Sequence, residues 1–81
     1  MSQAFTDQLK QVVSEFETLG YNHTKKAAEQ VRIVCELHNW SKRNLQTLQN
    51  DLVIWRAWCS LHKEKALMIK IDKLLNEHFD N

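Results

Sequence analysis

Phe5, Leu9, Val12, Phe16 and Leu19 recur at spacings of four, three, four and three, with Val13 beside them. That rhythm follows the turn of an α-helix and predicts one amphipathic helix over residues 3–19. Gly20 is its natural stop, because glycine takes the left-handed C′ conformation without steric cost. Asn22 or Thr24 can cap the next helix, in which Ala27, Val31, Val34, Cys35 and His38 form one stripe. Ile33 and Leu37 add a second apolar edge, so this helix is expected to touch neighbours on two sides. His38-Asn39-Trp40 reads as a short break, and Ser41 as the N-cap of a helix starting at Lys42.

Leu45, Leu48, Leu52, Trp55 and Cys59 then alternate spacings of three and four, the seam of helices packed side by side. Within residues 52–61 only Arg56 and Ser60 are polar, while Leu52, Val53, Ile54, Trp55, Ala57, Trp58, Cys59 and Leu61 are apolar. A helix apolar nearly all the way round must be covered on every side. In so short a chain the surplus predicts a homodimer through Ile54, Trp55, Trp58 and Leu61, with Trp58 nearest the two-fold axis. A last helix over about residues 64–79 carries Leu67, Met68, Ile71, Leu74, Leu75 and Phe79, with Lys63, Lys65, Lys70 and Lys73 on its solvated side. A weak bend between Ser60 and Lys63 is expected to separate it from the helix before.

Composition narrows the fold to this pattern. Proline is absent and Gly20 is the sole glycine, so the repeated tight turns of a sheet have no residues to make them. With 81 residues there is room for one domain, 1–81. The predicted class is all-α, a small four-helix bundle that can hold a helix-turn-helix element. No apolar run approaches a membrane span, and the start, Met1 to Asp7, lacks the basic and apolar regions of a secretion signal. Cys35 and Cys59 fall inside periodic segments, which favours buried, reduced thiols, and a cytoplasmic location is expected.

Net charge is +1 and unevenly spread. Residues 21–73 hold ten Lys or Arg against five acids, whereas residues 1–20 set Lys10 against Asp7, Glu15 and Glu17. The middle of the chain is its basic part.

Nucleophile elbows and phosphate-cradling loops need glycines at fixed positions, and this chain has one. A non-enzymatic protein without cofactor or small-molecule substrate is expected. Cys35-Glu36-Leu37-His38 and Cys59-Ser60-Leu61-His62 repeat a pattern that places Cys and His on one helix face, and two such pairs would supply four zinc ligands. Against this, Cys59 lies about 27 Å along a straight helix from Ser41 at the usual rise, whereas Cys35 and His38 sit beside the turn. The expectation is no metal site. Trp55 and Trp58, in an apolar segment, read as core or interface rather than as a base-stacking platform.

The run from Ile71 to Phe79 resembles the end of the small helical sporulation phosphatases. Met68 stands where their motif has a serine, so no activity carries over. A longer stretch resembles the helix-turn-helix of DNA-binding regulators, over about 20 residues. Its slots fall on Cys35 (small), Asn39 (left-handed), Trp40 (apolar), Ser41 (cap), and Leu45 and Leu48 inside the second helix. His38 departs from the motif where an apolar residue is usual, and Leu37 where a polar one is. The resemblance implies a recognition helix presenting Lys42, Arg43, Asn44, Gln46, Thr47, Gln49 and Asn50 to duplex DNA, with no acid before Asp51. The rival expectation is a helical protein-interaction module, an adaptor, inhibitor or immunity-type protein, supported by the apolar excess of residues 52–61. Both readings are regulatory and neither requires catalysis.

Overall fold

The structure, a computed structural model, describes residues 3–37 and 40–79. It contains four helices, α1 (Gln3–Thr18), α2 (Asn22–Leu37), α3 (Lys42–Leu61) and α4 (Lys65–His78), and no strand among the described residues. The expected all-α four-helix bundle is the observed one.

Cross-links between helices give the topology. Gln8 donates to Glu77 and accepts from His78 Nε2, while Lys70 donates to Glu15 at 2.7 Å, so α1 and α4 run antiparallel. Arg56 donates to Asp72 at 2.9 Å and sets α3 antiparallel to α4. Phe5 meets Trp40, His78 and Phe79 at one end of the bundle, and Phe16 meets Trp55 and Trp58 at the other. The chain therefore goes up, down, up and down, with α1 diagonal to α3. Close packing joins α1 to α2, α1 to α4 and α3 to α4. Between α2 and α3 a groove remains open.

Each helix sinks the stripe its periodicity marks. Phe5, Leu9, Val12, Val13 and Phe16 are buried from α1, Leu48, Leu52, Trp55 and Cys59 from α3, and Leu67, Ile71, Leu74 and Leu75 from α4. From α2, Ala28, Val31 and Cys35 join them, with Thr24 fully buried. Thr24 is not a cap, nor is Asn22, because both lie inside the first turn. The Tyr21 carbonyl accepts from Lys25 N–H and from Thr24 Oγ1, which satisfies the buried hydroxyl. The second apolar edge of α2 also differs from expectation. Ile33 and Leu37 are 49% and 69% exposed, and neither lines the groove between α2 and α3.

Two helix ends show what the sequence reveals and what it conceals. Gly20 has φ +85°, as a C′ residue requires, and its N–H donates to the Glu17 carbonyl. The break between α3 and α4 is a Schellman motif. Lys63 N–H donates to Ser60 O, Glu64 N–H donates to Cys59 O, and Lys63 itself is left-handed at φ 60°. A lysine pays steric strain there that glycine avoids. Gly20→Ala is expected to destabilise by about 1–2 kcal/mol, with the nearest atom to a new Cβ 3.9 Å away, so that strain and not crowding is the cause. Lys63→Gly should leave stability unchanged or raise it by up to about 1 kcal/mol. Thermal unfolding of the two variants reads both signs.

Candidate functional site

Ser41 starts α3 as expected, accepting from Asn44 N–H at 3.1 Å through Oγ. From this cap the helix exposes two chemically different halves. In the first half Lys42, Arg43, Gln46, Thr47 and Asn50 are exposed, and Gln46 Nε2 donates to Asn50 Oδ1 at 3.3 Å. Asn44 and Gln49 are half-buried, and both make contacts within the fold. Asn44 and Thr47 turn toward α2 and line the groove, so the seven polar residues expected to form one outward face divide between two surfaces. Of the helix-turn-helix slots, Cys35 and Leu48 are buried and Trp40 and Leu45 half-buried against the core, while Asn39 lies outside the described residues.

The second half of α3 presents Val53, Ile54, Ala57 and Leu61 outward, with Ile54 64% and Leu61 81% exposed. Residues 54, 57 and 61 share one face at helical spacing. The expectation that residues 52–61 are apolar beyond what one bundle can cover holds for Ile54 and Leu61. It does not hold for the two tryptophans. Trp55 is 4% exposed and stacks on Phe16 with ring centroids 4.3 Å apart, so it belongs to the core of the single chain. Trp58 is half-buried in a cluster of rings, stacked on His62 at 4.0 Å and edge-on to Phe16, Tyr21 and His23. Both face the end of α1, because the α3 seam turns toward the diagonal helix.

The groove between α2 and α3 has a volume of about 220 Å³. Val31 and Val34 form its α2 wall, Leu48 and Trp40 its apolar floor and end, and Asn44, Thr47 and Asp51 its α3 wall. Burial pushes the Asp51 carboxyl above its ordinary value. No described side chain forms an ion pair with it. By contrast, Arg32 donates to Glu17 Oε2 at 2.7 Å and holds that carboxyl below its ordinary value. These pairs occupy Arg32, Arg56 and Lys70, and the remaining described lysines and arginine are spread over all four helices.

The two cysteines lie apart in the bundle. Cys35 lines a cleft with Lys10, Val13 and Arg32 between α1 and α2, and Cys59 lines another with Lys63 and Met68 at the turn into α4. α3 is continuous between Lys42 and Leu61, which keeps the second Cys-His pair about 26 Å along the helix from its start. His38 lies outside the described residues. Among the described ones no three His, Cys, Asp or Glu gather at one point. Burial raises both thiols, Cys59 to about 11.

No described helix is long and apolar enough to cross a membrane. No family model, curated protein or solved structure matches this chain, so its own surface carries the functional argument.

Proposed function

We propose that this protein is a non-catalytic protein-interaction module that works as a homodimer through the outer face of the second half of α3. The observation that carries this reading is the exposure of Ile54 and Leu61 on one helix face, beside the partly exposed Val53. Large exposed apolar residues on α2, α3 and α4 contrast with α1, whose exposed positions include none. Apolar surface of this kind is a mark of protein contact. A second copy supplies the same face in a two-fold arrangement. Sedimentation of the wild-type chain against Ile54→Glu and Leu61→Glu variants tests this. A dimer that either charge dissociates supports the proposal, and a wild-type monomer at hundreds of micromolar ends it.

The first half of α3 favours a second reading, DNA binding, because Lys42, Arg43, Gln46 and Asn50 are all exposed there. Lysine and arginine would meet phosphates, and glutamine and asparagine base edges. The uncompensated carboxylate of Asp51 near these residues, and the scatter of the other cations, weigh against it. On the DNA reading, replacing Arg43 and Gln46 together with alanine weakens binding to a selected site by about 1–3 kcal/mol for each residue that reaches a base. On the protein reading, the wild type shows no retention of mixed duplex DNA at about 50 mM salt, where electrostatic binding is strongest.

A further inference from the structure

The groove between α2 and α3 joins apolar walls to one carboxylate that the fold leaves uncompensated. Val31, Val34 and Leu48 offer an aliphatic channel, and Asp51 stands on the α3 wall beyond it. Asn44, Thr47 and Asp51 follow one another at spacings of three and four, so the polar wall runs straight along the groove for about 10 Å at the helical rise. Among the described residues the ion pairs engage Glu17, Asp72 and Glu15, and none involves Asp51. An anion at an apolar wall calls for an occupant with an aliphatic stem and a cationic head, the form of a lysine or arginine side chain. Trp40, edge-on to Phe5 at 5.5 Å, adds an aromatic surface at the end of the same groove.

We propose that this groove receives a lysine or arginine side chain of a partner protein, its charged head on Asp51 and its stem along Val31, Val34 and Leu48. The proposal rests on the reading of the chain as a protein-interaction module and specifies what the partner brings. It gives a purpose to a feature that stability alone does not require. A half-buried carboxylate with no cation beside it is a cost to the free protein, and an incoming cation removes that cost on binding. Ile54 lies three residues beyond Asp51 on the same side of α3, so the groove adjoins the outward face of Ile54 and Leu61.

The test uses the full chain, labelled with ¹⁵N, and two probes of equal shape. One is N-acetyl-leucyl-arginyl-leucinamide, and the other carries citrulline in place of arginine, which keeps the stem and the hydrogen-bonding head but removes the charge. The arginyl peptide should bind about tenfold more tightly than the citrulline peptide and shift the amide signals of Asn44, Thr47 and Asp51. Asp51→Asn should erase the difference without lowering the unfolding temperature, since Asp51 supports no ion pair in the fold. Hexylammonium is the third probe and should bind more weakly than the arginyl peptide. Equal binding of the two peptides to the wild type, or shifts that map elsewhere, overturns the proposal without recourse to the variant. Hexylammonium binding as tightly as the peptide overturns the protein partner in favour of a small amine. A chain that is dimeric yet does not distinguish the peptides refutes the groove alone, whereas a monomer that distinguishes them refutes the dimer and keeps the groove.

Discussion

Phe16→Ala is expected to remove about 3–5 kcal/mol of stability, a large share of the roughly 5–15 kcal/mol that holds a small domain together. Phe16 is 2% exposed, stacks on Trp55 with an interplanar angle of 12° and meets Trp58 edge-on. Its ring is the point where α1 reaches across the bundle to the diagonal helix, so truncation opens a cavity between two elements. Trp58, left without that edge contact, would lose part of the packing that sets its stack on His62. Phe16→Leu keeps most of the volume and should cost about 1–2 kcal/mol, chiefly the aromatic pairing. Urea unfolding followed by tryptophan fluorescence reads both values. A loss under about 1 kcal/mol for the alanine variant would show that the Phe16–Trp55 stack is not part of the cooperative core.

The second large effect falls on association and spares the fold. Ile54 and Leu61 are 64% and 81% exposed in the single chain, so a glutamate at either position should change monomer stability by no more than about 0.5 kcal/mol. In a two-fold dimer each substitution enters the interface twice and places like charges against an apolar face. A weakening of at least about a hundredfold, or about 2.8 kcal/mol, is the expected result. Trp58 would be the wrong residue for this experiment. Charging it would break the cluster with Phe16, Tyr21, His23 and His62, and loss of the fold would resemble loss of the dimer.

Local chemistry made much of the bundle legible. The stripe from Phe5 to Phe16, the stop at Gly20 and the cap at Ser41 each depend on nearest neighbours along one helix, and each stands in the structure where the pattern places it. The end of α3 was visible only as a weak bend. Lysine at a left-handed C′ position carries none of the signal that glycine or asparagine gives, and the Schellman hydrogen bonds at Ser60 and Cys59 form through backbone atoms alone. Apolar periodicity also could not say which sides of α2 and α3 would be covered. Ile33 and Leu37 look in sequence like a second packed edge, yet they are exposed, as are Ile54 and Leu61, and none of the four lines the groove between α2 and α3. The spacing of α2 and α3 creates that groove and leaves Asp51 uncompensated, a property of three walls that no single segment announces. Conversely, Trp55 and Trp58 looked like surplus because their partner, Phe16, lies 39 positions before Trp55 on another helix.

Sedimentation equilibrium of the wild-type chain, from micromolar to hundreds of micromolar and with mixed duplex DNA present at about 50 mM salt, tests the central claim most directly. A protein-interaction module that pairs through Ile54 and Leu61 sediments at twice its 9.6 kDa monomer mass and leaves the DNA boundary unmoved. A chain that stays at 9.6 kDa across the range and travels with the DNA would contradict that account and make the polar first half of α3 the working surface.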